Sequence, residues 1–304
     1  MSQDRSTGTL APIVAAATGI ALLSLMDAFM KTAALATGAF TAAWLRAVIG
    51  TGLALPLWLA TRRTRIPRAT LYLHAKRGVV TTFMALTFFY ALTKLPIAET
   101  IAIAFIAPLL ALYIAAVTLG ETVRRESVRA SLLGLAGTLV IVGGRIGREA
   151  LDRDAALGIA AVVLSALLYA WNLVLGRQQA LLAPPSEIAL AHAASAAVIL
   201  GIAAPFFFIL PEPVVLRDIG VAAILTVGGS LAFAWAYARA ETQSLAPLEY
   251  TGFLWAALLG WLFFGEPVGA ATLLGVALIV AGCVLATRRT RTPAPEMISP
   301  DPIV

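Results

Sequence analysis

Apolar runs of about 20 residues, parted by short polar connections, recur from one end of this sequence to the other. A helix needs about 20 residues to cross the hydrocarbon of a bilayer, whereas a strand of a soluble core takes five or six. The runs lie at 10–32, 38–60, 77–94, 97–119, 127–144, 156–176, 186–210, 217–239, 245–264 and 268–287. They lack strand alternation and are rich in Ala, Leu and Gly, and backbone in lipid must satisfy its own hydrogen bonds, so each is read as a helix. Composition argues against a soluble fold: of 304 residues, 60% are hydrophobic and 12% charged, about half the charged share of a water-soluble domain. The expected fold class is an all-α integral membrane protein with ten transmembrane helices.

The first run is too long for the apolar core of a signal peptide and carries Asp27, with only Arg5 before it, so it is expected to remain as a span. With the N-terminus inside, 15 Lys and Arg fall on the cytoplasmic side, Arg68, Lys76 and Arg77 of the second connection among them, against 6 on the other side. The positive-inside rule then places both termini in the cytoplasm. The formal charge of +6 is read against a bilayer rather than nucleic acid. One cysteine and two histidines exclude a disulfide scaffold, a Cys-rich zinc site and an iron–sulfur cluster. No metal and no cofactor are expected.

Displacing the sequence by 145 residues sets Gly120-Glu121 on Gly265-Glu266, Gly137 on Gly282, Tyr90-Ala91 on Trp235-Ala236, Lys94 on Arg239 and Asp27 on Asn172. Five spans per half is an odd number, so the halves enter the membrane from opposite sides. The expected architecture is two inverted five-helix repeats, 1–150 and 151–290, followed by a disordered cytoplasmic tail, 291–304. Inverted repeats are typical of transporters that expose a midplane site to each face in turn.

Two groups of strings carry a family resemblance. The first is Phe88-Phe89-Tyr90-Ala91-Leu92, Leu95-Pro96-Ile97-Ala98, Ala107-Pro108-Leu109 and Leu119-Gly120-Glu121. The second is Ala246-Pro247-Leu248-Glu249-Tyr250-Thr251, the run from Leu254 to Trp261, Phe264-Gly265-Glu266 and Leu274-Gly275. Through them essentially the whole chain resembles the ten-helix EamA-type branch of the drug/metabolite transporter superfamily, and within it most closely the amino-acid exporters, the aromatic type included. The resemblance implies a bacterial inner-membrane carrier. One departure is that Phe253 stands where the repeat of Pro108 would fall.

Several polar residues lie within the runs. Asp27 and Lys31 are four apart on one helix face and Arg46 falls at similar depth on the next span. Buried charge is costly in lipid, so these are either a structural ion pair or part of a substrate or coupling site. Glu99 and Glu249 follow Pro96 and Pro247 at helix starts, where each either caps its helix or carries a proton or binds an amine; Glu249 is favoured because it lies in the family-like string. His192 is read either as a buried satisfied imidazole or as a proton relay. Tyr90, Trp171, Asn172, Trp235, Tyr237 and Tyr250 together form the candidate substrate lining. Glu121 and Glu266 close spans and are expected to fix turns, while Gly137 and Gly282 are assigned to scaffold or oligomer contacts, which leaves a homodimer open.

Three classes of function compete. An intramembrane enzyme needs a nucleophile–base set or paired metal ligands, and the sequence holds no H-E-x-x-H, no Walker lysine motif and no Cys–His cluster. A channel favours rings of polar residues from symmetric subunits, whereas this chain holds its own two-fold repeat. The expected function is therefore an alternating-access carrier, not an enzyme, exporting amino acids or similar small amphipathic metabolites. The alternative is efflux of lipophilic cations.

Overall fold

The computed structural model describes the backbone of residues 4–61, 65–104, 106–119, 125–146, 153–240 and 251–265, with 245, 248, 249, 269–271, 273–275, 277, 278, 281 and 282. Among these residues every regular element is a helix. In chain order they are α1 (Asp4–Thr61), α2 (Arg68–Leu92), α3 (Ile97–Ala104), α4 (Ile106–Leu119), α5 (Arg125–Ile146), α6 (Arg153–Leu182), α7 (Pro185–Phe207), α8 (Pro213–Tyr237) and α9 (Thr251–Phe264). The described positions from 270 to 282 are helical as well.

Prolines mark the starts. Pro67 and Pro184 precede α2 and α7 in extended conformation, and Pro185 and Pro213 open α7 and α8, where a missing N–H costs nothing. Pro96 precedes α3, and its carbonyl accepts the N–H of Thr100 at 3.0 Å.

The short turn expected between the first two runs falls at Gly38 (φ 81, ψ 152), where two helical arms of α1 meet, rather than across 33–37. That conformation suits a residue without Cβ. A straight helix would set Asp27 and Arg46 about 28 Å apart, yet both face one cavity, so the arms fold back on each other at Gly38. A second correction concerns α2, which begins at Arg68 and not at 77, placing His74, Lys76 and Arg77 inside a helix rather than in a loop. Hydropathy stops at a charge, but a helix continues through charges that find partners.

Among the described residues four stretches, Leu10–Thr61, Arg153–Leu182, Pro185–Phe207 and Pro213–Tyr237, are long and apolar enough to cross a membrane. The outer surface is correspondingly apolar: Ile202, Phe206 and Leu210 are 75%, 82% and 83% exposed, an arrangement water would penalise and lipid does not. The interior is built largely from alanine. One buried cluster joins Met26, Ala28, Met30, Ala34, Ala42, Phe89, Leu92, Ile219, Ala222 and Phe253. Another joins Ala166, Ala170, Leu173, Ala234, Tyr237, Leu245 and Leu248. Small residues bring the helices close, as association in lipid requires. A Cβ on Gly229 would lie 2.8 Å from Leu23 of α1, and one on Gly78 of α2 only 2.3 Å from Ser195 of α7. Gly137 and Gly282 are buried.

Candidate functional site

A cavity of about 240 Å³ lies where α1, α2, α3, α6, α7, α8 and the Glu249 segment before α9 converge. Each long helix offers it one stripe at helical spacing: Arg77, Met84, Ala85, Phe88 and Phe89 from α2, Ser165, Tyr169, Asn172 and Gly176 from α6, and Thr226, Ser230, Phe233 and Tyr237 from α8. Seven pairs of lining residues are separated by 145 positions: Ile20 and Ser165, Ser24 and Tyr169, Asp27 and Asn172, Ala85 and Ser230, Phe88 and Phe233, Phe89 and Ala234, Ala104 and Glu249.

Charges of both signs face this space. Arg46 is 6% exposed and donates through Nη1 to Thr226 Oγ1 at 2.8 Å, while its guanidinium carbon stands 5.3 Å from the centre of the Phe89 ring. Its Nε is buried with no hydrogen-bond partner among the described residues. Asp27 is its electrostatic counterpart. Arg77 donates from Nε to Asn172 Oδ1 at 2.7 Å and from Nη1 to Gln179 Oε1 at 2.5 Å. Gly176 makes room for that guanidinium, since a Cβ there would sit 3.3 Å from Arg77 Nη2. Across the cavity, Tyr169 donates its hydroxyl proton to Glu249 Oε2 at 2.5 Å. Glu249 is 6% exposed and its Oε1 has no hydrogen-bond partner among the described residues.

Of the residues singled out in the sequence, the structure brings Asp27, Arg46, Asn172, His192, Tyr237 and Glu249 together on the cavity. It does not bring Tyr90, Trp171 or Trp235 there. Each stands next to a lining residue, Phe89, Asn172 and Ala234, and is therefore turned about 100° around its helix. Tyr90 is 38% exposed, Trp171 is 41% exposed beneath the Lys76 ammonium, and Trp235 borders an outer groove with Leu10 and Val14. Lys31 reaches the Leu95 carbonyl at 3.4 Å and the face of Phe264. Of the trio Asp27, Lys31 and Arg46, Arg46 is the group whose charge is coupled to Asp27. Tyr250, Glu121, Glu266 and the side chain of Glu99 lie outside the described residues.

Sequence reasoning missed Arg77, Tyr169 and the phenylalanines at 88, 89 and 233. For α6 a signal was present, because Ser165, Tyr169, Asn172 and Gly176 form a polar stripe at spacings of three and four along an otherwise apolar run. Arg77 had none, since a basic residue near a span edge reads as a loop.

What such a lining can do is bind rather than react. Buried guanidiniums attract a carboxylate, buried carboxylates an ammonium, and the rings accept an apolar group. No group of three or more metal-ligating side chains occurs among the described residues. The profile of the EamA-like transporter family matches residues 10–143 and again 156–288. The chain belongs to that family. This EamA-like protein is thus a transporter and an integral membrane protein, not an enzyme. It is 27% identical to the pseudopaline exporter CntI of Pseudomonas aeruginosa over 93% of this chain and 96% of that one. It is also 30% identical to the aromatic amino acid exporter YddG of Ancylobacter novellus, over 67% of this chain and 71% of that one. A solved crystal structure superposes with a TM-score of 0.75 at 25% identity, covering 93% of this EamA-like chain and 96% of its own.

Proposed function

We propose that this transporter exports small amphipathic zwitterions, above all amino acids with a large apolar side chain, by exposing the cavity alternately to each side of the membrane. One observation carries the reading: Arg46 and Arg77 share a single cavity with Asp27 and Glu249, and Phe88, Phe89 and Phe233 line its remainder. The substrate carboxylate goes to the arginines, its ammonium to Asp27 or Glu249, and its side chain to the rings. Asn172 and Tyr237 complete the polar lining, and His192 stands beside Arg46. The export direction and the aromatic class draw support from the names of the two relatives. Two guanidiniums repel a lone cation, which disfavours efflux of lipophilic cations.

Purified protein in liposomes, tested with labelled amino acids, nucleosides and cationic dyes, checks this directly. Saturable uptake and counterflow of L-phenylalanine are expected, with no dye transport. Dye transport without any amino acid would reject the reading.

The proposed architecture is ten membrane-crossing helices in two inverted repeats of five, 1–150 and 151–290, with the tail 291–304 and both termini in the cytoplasm of a bacterial inner membrane. Supporting it, a displacement of 145 residues carries the bounds of α2 onto those of α8, Arg68–Leu92 onto Pro213–Tyr237. The same displacement relates the seven lining pairs, and the family profile fits each half. Cysteines placed at 65–67 should be labelled only from inside, and labelling there from outside would overturn the orientation. Gly137 and Gly282 remain assigned to scaffold contacts within or between copies.

A further inference from the structure

Between the cavity and one end of the bundle, α2, α6 and α7 bury an unbroken run of side-chain hydrogen bonds. Arg77 Nη1 donates to Gln179 Oε1 at 2.5 Å, Gln179 Nε2 meets His74 Nδ1 at 2.6 Å, and His74 Nε2 meets Glu187 Oε1 at 2.9 Å. A guanidinium only donates, so the amide oxygen of Gln179 must face it and the amide nitrogen must face the imidazole. Nδ1 is then the acceptor, and the His74 proton sits on Nε2, toward the carboxylate. His74 and Gln179 are 4% and 2% exposed.

The other half of the chain supplies a comparison. Displacement by 145 residues carries His74 to Ile219 and Arg77 to Ala222, and brings Gln179 back to Ala34 and Glu187 back to Ala42. Those four are between 0% and 3% exposed and belong to one apolar cluster with Phe89. Along α2, His74 and Phe89 stand roughly 22 Å apart, with Arg77, Met84 and Ala85 of the cavity lining between them. Corresponding helix positions are therefore closed by hydrogen bonds at one end of the cavity and by dry alanine and isoleucine at the other.

Helix packing alone is satisfied by apolar residues at these positions, and replacing buried polar groups by well-packed apolar ones is often neutral or stabilising. The fold by itself gives no reason for the polar run. Reversible opening does. When the helices part at the polar end, water takes the place of each bond, whereas parting the apolar end exposes hydrocarbon to water.

We propose that Glu187, His74 and Gln179 are positioning residues for transport: they latch the end of the cavity nearest them and hold Arg77 toward the substrate, so that anion binding and opening of that end are coupled. A carboxylate in the cavity draws the Arg77 guanidinium inward, stretches its bond to Gln179 and loosens the latch. This rests on the reading of the cavity as the transport site.

The test uses the full chain in sealed vesicles of each orientation, with Cys283→Ala and Ser230→Cys to place one thiol on the cavity. Gln179→Leu removes donor and acceptor at similar volume. It is expected to raise labelling by a membrane-impermeant maleimide at least fivefold from the face bearing residues 65–67, to leave the opposite face unchanged, and to weaken binding of tritiated L-phenylalanine about tenfold. Glu187→Gln, at a residue nearer the surface, is expected to raise the same labelling two- to threefold and serves if Gln179→Leu does not fold. Unchanged labelling in a folded variant overturns the latch. Raised labelling with no phenylalanine binding even to the parent protein overturns the substrate reading and leaves the latch standing.

Discussion

Asp27 and Asn172, 145 residues apart, line one cavity from α1 and α6, and each faces a different arginine. Asn172 accepts from Arg77 at 2.7 Å, and Asp27 is the electrostatic counterpart of Arg46. The arginines themselves do not repeat, since Leu, Ala and His surround their displaced positions: Ala191 and His192 for Arg46, Ala222 and Ala223 for Arg77. Lining positions thus recur at a spacing of 145 residues while the arginines among them do not.

The two Asx positions should respond in opposite ways to a change of charge. Asn172→Asp gives Arg77 a permanent partner, and a hydrogen bond between charged groups contributes about 1.5–3 kcal/mol. The KM for L-phenylalanine is expected to rise about tenfold, one decade per 1.4 kcal/mol, while Tm holds or rises. Asp27→Asn leaves Arg46 without its counter-charge and is expected to lower Tm. Uptake kinetics and a melting curve in detergent check both, and an unchanged KM in Asn172→Asp would remove Arg77 from the site.

A proton-carrying role for Glu249, one of those read from its place after Pro247, makes its own forecast. Glu249→Gln should keep counterflow, which needs only alternating exposure, and lose accumulation driven by a proton gradient. Full accumulation in that variant would place coupling elsewhere. Tyr169→Phe, which deletes the 2.5 Å bond to Glu249, should cost about 1–3 kcal/mol of stability by denaturant titration.

Aromatic residues should divide by helix phase. Phe88→Leu and Phe233→Leu, on the cavity, remove ring contacts of about 1 kcal/mol, enough to raise KM roughly fivefold. Tyr90→Ala and Trp171→Ala, at exposed positions, should leave KM within about twofold. The reverse pattern in proteoliposome uptake would mean that the cavity is not the binding site.

The crossing of α2 and α7 should not tolerate a methyl group. Gly78→Ala sets its Cβ 2.3 Å from the Ser195 Cβ and Oγ, and overpacking of this kind costs about 1–3 kcal/mol. Adding Ser195→Gly is expected to restore most of the lost Tm. Failure of that rescue would assign the loss to something other than the contact.

Reading the sequence succeeded where the cause is local and failed where it is relational. Asp27, Arg46 and Glu249 stood out because a charge inside an apolar run is expensive wherever the helix points. Tyr90, Trp171 and Trp235 were chosen for their chemistry, yet each lies one residue from the stripe that faces the cavity. Arg77 was placed in a loop because its partners, Asn172 and Gln179, are about a hundred residues away in sequence.

By itself the sequence determined that the chain is helical and membrane-embedded, because in lipid every backbone group must bond within its own segment, and a run of about 20 apolar residues records that locally. It also carried the 145-residue displacement, which is written in residue identities. Only the tertiary structure decided which face of each helix turns inward. Lipid and protein core are almost equally apolar, so helices such as α6 and α8 carry little periodic contrast to mark the inner face. The break at Gly38, which returns Arg46 to the level of Asp27, and the packing of α2 against α6 and α7, which gives Arg77 and His74 their partners, supplied what hydropathy does not encode.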